Sequence, residues 1–541
     1  MKLRGIYLLP ACILWSVAAC AQNNSAKTLN DYIAHAPFKM APVTEPVFKS
    51  TVYNIKDYGA IGDGQTLCSA GFDKAITACN AAGGGVVLVP PGTWLTGPIE
   101  LKSNVNLHAE RGALVVFSTD HSLYPILMPE GKTKSPIYGN KLKNVAITGE
   151  GVFDGGGDTW RPLKKSKAAP TLWADLIKAG GVVSADGGMY WPTKEAMDGE
   201  AYLKNLKGRK DLTAADYLPA RDFMRPTMVI INNSENVLLD GPTFKNSPMY
   251  VLNPHNDNNL IIRNVQVNNE YYAQNGDGID LSSCRNSVVY NCTVNAGDDG
   301  ICMKSSGKAA DGTEALQNIV IANCIVYHAH GGFVIGSNTD GGMRNVYVTN
   351  CDFVNTDIGI RVKSSRGRGG LVHDIYVENI FMHDILNEAI LFSTYYEDDK
   401  KLKNAEVNER TPIFKDFYIN NIFCNNAKTA ISITGLPEMA VNNIHFSNMT
   451  ISATIPVVSV EASDIFMKNV KILSPKTTLF TLENSRNFTL DNITYGSNTT
   501  TFISATGEKT SAINVVNTPV KSMAKGVVLA EGMNKNSVII K

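Results

Sequence analysis

The sequence predicts an all-β fold, a right-handed parallel β-helix with a short N-terminal cap helix, and three observations lead there. The first is an internal repeat in which an Asn or Asp opens an alternating strand and an Asn or Gly closes it five residues later. It occurs at Asn144/Gly149, Asn236/Gly241, Asn259/Asn264, Asn286/Asn291, Asn318/Asn323 and Asn345/Asn350, then at Asp374/Asn379, Asp416/Asn421, Asn443/Asn448, Asp464/Asn469 and Asn487/Asn492. Steps of 21 to 32 residues dominate, with a longer one from Asp374 to Asp416. Short strands at that period, with no helical segments between them, are the signature of a solenoid. The second observation is a frame of a small residue followed by alternating apolar positions. It reads Gly278-Ile279-Asp280-Leu281-Ser282, Gly300-Ile301-Cys302-Met303-Lys304, Gly332-Phe333-Val334-Ile335-Gly336 and Gly359-Ile360-Arg361-Val362-Lys363, and continues from Ala389 and Ala430. Such alternation is a strand with one buried face. The third is the recurrence of Asn at the turns, where it tolerates left-handed backbone and hydrogen-bonds locally, so stacked asparagines are expected to form a ladder.

Taken in order, the chain begins with Lys2 and Arg4, an apolar run from Ile6 to Ala19, and Val17-Ala18-Ala19-Cys20. This is the pattern of a secretory signal over residues 1–20, too short in its apolar core to span a membrane. The tetrad ending at Cys20 resembles a bacterial lipobox and implies a lipid on that cysteine; cleavage after Ala21 is the alternative. Either way the expected location is outside the cytoplasm, secreted or as a periplasmic or outer-membrane lipoprotein. Residues 21–50 are polar with several prolines and read as a linker. A single catalytic domain is expected over residues 51–541. It opens with a strand and turn at 52–64, and Phe72, Ala75, Ile76 and Cys79 then have helical spacing. A helix there covers the open end of the strand stack, which otherwise exposes unpaired backbone groups. Residues 158–225 break the period with Trp160, Trp173, Trp191 and many lysines. They read as a partly helical insertion, either shaping a binding face or simply packing. After about residue 500 the repeat is expected to fade into a C-terminal cover.

Composition excludes some functions. With 50 basic and 50 acidic residues the formal charge is zero, unlike the basic excess of a nucleic-acid binder. Attraction for an acidic ligand must therefore be local. Cys292, Cys324 and Cys351 stand where other coils place Val265, Ile380 and Ile422, so they read as packed hydrophobes, with disulfides between neighbouring coils the alternative. No Cys-x-x-Cys or clustered histidine accompanies them, so metal ligation and a cofactor are not expected. The chain is expected to be a monomer.

Four motifs follow one another at intervals of one to one and a half coils. They are Asn275-Gly276-Asp277-Gly278-Ile279-Asp280, Gly297-Asp298-Asp299-Gly300, Ala329-His330-Gly331-Gly332 and Gly359-Ile360-Arg361-Val362-Lys363. Stacked in parallel, equivalent positions lie about 4.8 Å apart. Asp277 and Asp299 then share one column and Asp298 and His330 the one before it, while Asp280, Lys304, Arg361 and Lys363 point outward. Carboxylates, an imidazole and cations on one surface are a catalytic inventory.

This order of motifs on a β-helix resembles the polygalacturonases, glycoside hydrolase family 28. The resemblance extends over essentially the whole chain after the signal, including Arg366-Gly367-Arg368-Gly369-Gly370. It implies inverting hydrolysis of α-1,4-linked galacturonic acid in a pectic polysaccharide or oligogalacturonide. By the same resemblance Asp298 is the general acid, Asp277 and Asp299 hold the attacking water as base, and His330 tunes Asp298. Arg361 and Lys363 are expected to pair the substrate carboxylate, Arg through its planar fork. Asn275, Asp280 and Tyr395 or Tyr396 are further candidates for the substrate side. An inverting enzyme needs its two carboxyl functions about 6.5–9.5 Å apart, and crowding is expected to keep one of them protonated. Gly276, where the family often has threonine, and Ala329 before His330 are departures that remove no charge. Three other functions fit a β-helix: a hydrolase of another decorated pectic backbone, xylogalacturonan or rhamnogalacturonan; a calcium-dependent pectate lyase, using the carboxylates as ligands; and a noncatalytic glycan-binding protein. The His-Gly and Arg-x-Lys motifs favour the hydrolase. The insertion raises the expectation that it walls off one end of the cleft and makes the enzyme exo-acting.

Overall fold

The computed structural model describes residues 28–396, 403–520 and 523–541. The signal peptide and Cys20 lie outside these residues. Thirty strands form one sheet wound into successive coils, with parallel pairing from coil to coil, and the result is a right-handed parallel β-helix. The repeat positions make the corners. All eleven residues that open the repeat have φ between 48° and 60°, the left-handed region that Asn and Asp adopt most readily among residues with a side chain. Their side chains link the coils: Asn236 Nδ2 donates to Asn144 Oδ1 at 2.9 Å, Asn318 to Asn286 at 2.9 Å and Asn345 to Asn318 at 3.0 Å. A second ladder runs through the closing positions, with Asn323 donating to Asn291 at 2.6 Å and Asn492 to Asn469 at 2.9 Å.

The inward residues of the strand frame form the core. Ile279, Leu281, Ile301, Met303, Phe333, Ile335, Ile360 and Val362 are at most 1% exposed. Each such side chain contributes about 1.5–3 kcal/mol of burial. The cap helix spans Ser69–Ala81 and buries Phe72, Ala75, Ile76 and Cys79, the residues whose spacing predicted it. The eight described cysteines are all buried and unpaired, which leaves Cys292, Cys324 and Cys351 as packing groups.

Two regions differ from expectation. The described part of the presumed linker, residues 28–50, is a strap docked on the outer wall. Tyr32 is buried there and donates its hydroxyl to Asn291 Oδ1 at 3.2 Å. Thr44 N donates to Asn259 Oδ1 at 2.9 Å, and Glu45 Oε2 pairs with Arg263 Nη2 at 3.0 Å. Asn259 still donates to Asn236 Oδ1, but its own oxygen is taken by the strap, and Asn286 bonds the neighbouring Asn258 instead. At the other end the coils do not fade at residue 500. Thr501–Thr506, Ser511–Val516, Gly526–Leu529 and Val538–Ile540 all continue the parallel ladder. No helix among the described residues is long and apolar enough to cross a membrane.

Between Val152–Asp154 and Val229–Asn232 the chain leaves the coil. It forms helices Pro170–Lys178, Lys194–Leu206 and Ala214–Tyr217 and a small antiparallel sheet of Leu163–Lys164, Met189–Trp191 and Val182–Val183. Trp160 anchors this excursion: it is 1% exposed and stacks on His121, while Tyr124 meets it edge-on at 5.4 Å.

Candidate active site

Four consecutive strands carry the site: β1 (Ile279–Ser282), β2 (Asp299–Lys304), β3 (Gly331–Ile335) and β4 (Ile360–Lys363). Their register is the one the shared frame implies. Asp280 lies beside Cys302, Ser282 beside Lys304, Asp299 beside Gly331 and Val334 beside Arg361. His330 N donates to Asp298 O at 2.8 Å, so the two side chains leave the same column. Glycine makes the turns tight enough. A Cβ on Gly297 would stand 2.3 Å from Ala273 O, and one on Gly276 would stand 2.8 Å from Ala273 Cβ.

The result is a compact acidic cluster. One oxygen from each of Asp277, Asp298 and Asp299 lies within 4.8 Å of the others. This is closer than the expected 6.5–9.5 Å between carboxyl functions. Column neighbours are separated by a single strand spacing, and Asp298 and Asp299 are adjacent in the chain. The spacing suits one water bridging two of the oxygens, since two hydrogen bonds of about 2.8 Å from a bent water span roughly 4.5 Å.

Cations divide the cluster into two halves. Lys304 Nζ pairs with Asp277 Oδ2 at 2.9 Å and Asp280 Oδ2 at 3.0 Å, and lies 5.0 Å from the centre of the Tyr250 ring. On the other side Asp299 receives Arg361 Nη1 at 3.0 Å and Lys363 Nζ at 2.7 Å. Asp298 Oδ1 lies 3.0 Å from His330 Nδ1. Burial is the largest influence on every one of these carboxyls and raises them all. It prevails at Asp277, which is pushed well above the ordinary value against Lys304, with Asp280, Asp298 and Asp299 adding to the rise. It also prevails at Asp280, raised to about 6. It is overcome at Asp298 by the hydrogen bond from His330, with Lys363 and Arg361 adding to it, so that carboxyl is held below the usual range. Lys363 and Arg361 likewise hold Asp299 down. In the free site proton affinity is therefore raised on the Asp277 side and lowered at Asp298, where crowding alone would raise it.

Several candidates occupy different places from those expected. Asp280 is 0% exposed and bound to Lys304, so it supports the site from beneath. Arg361 and Lys363 hold Asp299 first. Asn275 Oδ1 accepts from Arg225 Nη2 at 2.9 Å, which ties it to a guanidinium whose pKa burial lowers to about 10. Tyr395 lies against Arg366 at 5.5 Å; Tyr396 is the ring that faces the site's cations, 4.8 Å from Lys363 and 5.7 Å from Arg361. Sequence reasoning missed Lys167, whose Nζ reaches His330 Nε2 at 2.9 Å from the insertion, and Tyr250. It also missed Asp357, 3.7 Å from His330 Nε2. Carrying the strand frame one coil further puts Asp357 in the column of Asp298 and His330, so that residue had a signal. A cavity of about 290 Å³ lies beside His330, lined by Lys167, Tyr271 and Asp357 among others. The three clustered carboxylates have the spacing of a divalent-cation site, but Lys304, Arg361 and Lys363 already occupy oxygens of Asp277 and Asp299 and would compete with an ion.

The model of glycosyl hydrolases family 28 matches residues 219–463, and that of rhamnogalacturonase A/epimerase, pectate lyase-like, matches residues 52–117. An exo-poly-alpha-D-galacturonosidase of Dickeya chrysanthemi is 27% identical over 441 residues, covering 77% of this chain and 70% of that one. A probable polygalacturonase of Vitis vinifera is 25% identical, covering 74% of each. Among solved structures, an exopolygalacturonase from Thermotoga maritima superimposes with a TM-score of 0.65 at 29% identity, over 80% of this chain and 93% of its own. A family 28 exopolygalacturonase of Yersinia enterocolitica shares the fold, with a TM-score of 0.62 at 22% identity over 83% and 78% of the two chains.

Proposed function

The chain belongs to glycosyl hydrolases family 28, and from that membership we propose that it hydrolyses α-1,4-galacturonosidic bonds of polygalacturonate from chain ends, with inversion. The observation that carries the chemistry is the trio Asp277, Asp298 and Asp299 within 4.8 Å, divided by cations into a proton-holding and an ionised side. Asp298, oriented by His330, protonates the glycosidic oxygen. A water between Asp277 and Asp299 attacks the anomeric carbon and gives its proton to Asp277. After each turnover the proton thus sits on Asp277, where the free site holds it. The next cycle needs it on Asp298. An anionic substrate supplies the shift: its carboxylate, approaching Arg361 and Lys363, offsets the charges that hold Asp298 ionised and raises that group's proton affinity.

End-directed action is supported by the insertion, which reaches the site through Lys167, and by exo-acting relatives. Product analysis on polygalacturonate with EDTA present tests the reading. Saturated galacturonate or short oligomers are expected, lost in Asp298→Asn, with slow loss of viscosity. Unsaturated products that vanish with chelator would indicate a lyase instead. The N-terminal pattern supports export as a lipoprotein acylated on Cys20, which metabolic fatty-acid labelling of wild type beside Cys20→Ser checks.

A further inference from the structure

The insertion meets the acidic cluster through one side chain. Lys167 Nζ lies 2.9 Å from His330 Nε2, 3.2 Å from Gly297 O and 3.4 Å from Tyr271 O. Tyr271 secures the arm in return by donating its hydroxyl to Lys167 O at 3.0 Å, and its ring centre is 5.7 Å from Nζ. The other ring nitrogen of His330, Nδ1, is 3.0 Å from Asp298 Oδ1. Lys167, His330 and Asp298 therefore form one chain of contacts leading from the insertion into the cluster.

An ammonium has three donors and no acceptor, and a neutral imidazole has one of each. With its donors directed at two carbonyls and at Nε2, Lys167 faces the lone pair of that nitrogen. The ring proton is then on Nδ1 and is donated to Asp298. We propose that Lys167 is a positioning residue that fixes His330 as the neutral Nδ1–H tautomer, so that the imidazole orients Asp298 without placing a full positive charge against it. An imidazolium would keep Asp298 ionised, contrary to a proton donor's task. A neutral ring retains the hydrogen bond and removes the charge, leaving Lys363 and Arg361 as the groups that a bound substrate carboxylate can offset.

The charged groups facing His330 are Lys167 from the insertion, Asp298 from the preceding coil and Asp357 from the following one. Asp277, Asp299, Arg361 and Lys363 stand behind Asp298. Burial lowers the Lys167 pKa, and Asp298 and Asp357 oppose that shift. The consequence for Asp298 rests on its proposed role as the acid; the tautomer does not.

The test reads the two separately. The full chain has nine histidines, and selective ¹⁵N-histidine labelling with His330→Gln as the difference spectrum isolates this ring. Expected is a protonated Nδ1 and an unprotonated Nε2 in wild type across the active pH range, with Nε2 gaining a proton in Lys167→Met. An Nε2–H tautomer or an imidazolium in wild type would overturn the proposal. In kinetics, Lys167→Met should lower kcat by about 10-fold, a part of the about 10²–10⁴-fold that proton transfer contributes. KM should change little, the alkaline limb of kcat should move to lower pH, and Lys167→Arg should restore both. An unmoved limb in Lys167→Met, with its thermal unfolding unchanged, would contradict the positioning role. Full activity in Asp298→Asn would instead defeat the acid assignment while leaving the tautomer result standing.

Discussion

The two halves of the acidic cluster are built from the same parts in opposite ratio. On one side Asp277 and Asp280 share the single ammonium of Lys304. On the other, Asp299 alone holds Arg361 and Lys363. All three carboxyls are at most 4% exposed, so burial does not distinguish them. Charge ratio does. Two carboxylates to one cation leave proton affinity raised, and one carboxylate to two cations lowers it. The lesson is that a stack of nearly identical coils can hold a carboxyl of raised proton affinity and a fixed anion one strand spacing apart by changing only which outward column carries lysine or arginine.

The largest effect expected concerns the residue between the halves. Asp298→Asn keeps the shape and removes the transferable proton, so kcat should fall by about 10²–10⁴-fold with the fold intact, measured by initial rates on polygalacturonate. A loss below about 10-fold would move the acid to Asp277. Next, Asp299→Asn leaves two buried cations without their carboxylate and should cost about 3–5 kcal/mol in denaturant unfolding. Its pH dependence has a definite sign. Asp299 is held below its unfolded value, so its stabilisation is complete above roughly pH 4 and is lost as pH falls further. The Asn variant should therefore lose less stability on acidification than wild type.

The opposite half should show the opposite sign. Asp280 has its pKa raised to about 6, so wild type loses stability at this group as pH rises from roughly 4 to 6. Asp280→Asn should flatten unfolding free energy across that interval; a steeper slope there would contradict the two-to-one account. The smallest effect is at the aromatic neighbours. Tyr396→Leu removes a ring over Lys363 and Arg361 and should raise KM a few-fold, in line with about 0.5–1 kcal/mol for a partly exposed cation–π contact. Tyr395→Leu, whose ring faces Arg366, should change KM less.

What the sequence disclosed followed from periodicity. The frame of small and alternating apolar residues set the register of β1 to β4 because a one-residue slip would turn Ile279, Ile301, Phe333 and Ile360 outward. The Asn ladder was legible for the same reason, each corner needing a residue that accepts positive φ. Contacts made outside the repeat had no such signature. Lys167 is one lysine among many in an aperiodic segment, and the strap at residues 28–50 looks polar because only Tyr32, Val43 and a few neighbours face the wall. Tyr395 and Tyr396 could not be separated, since the choice between them depends on how the chain turns after β4's column ends at Ser393. The proton's resting place also needed three dimensions, because it depends on which cation reaches which oxygen.

The most direct test of the charge-ratio account is the pH dependence of kcat/KM and kcat for wild type on oligogalacturonide. The first reports the free enzyme and the second the substrate complex. On the proposed mechanism the substrate carboxylate offsets Arg361 and Lys363, so the alkaline limb of kcat should lie at higher pH than that of kcat/KM. Coincident limbs would mean that substrate charge does not move the proton to Asp298, and would contradict the account.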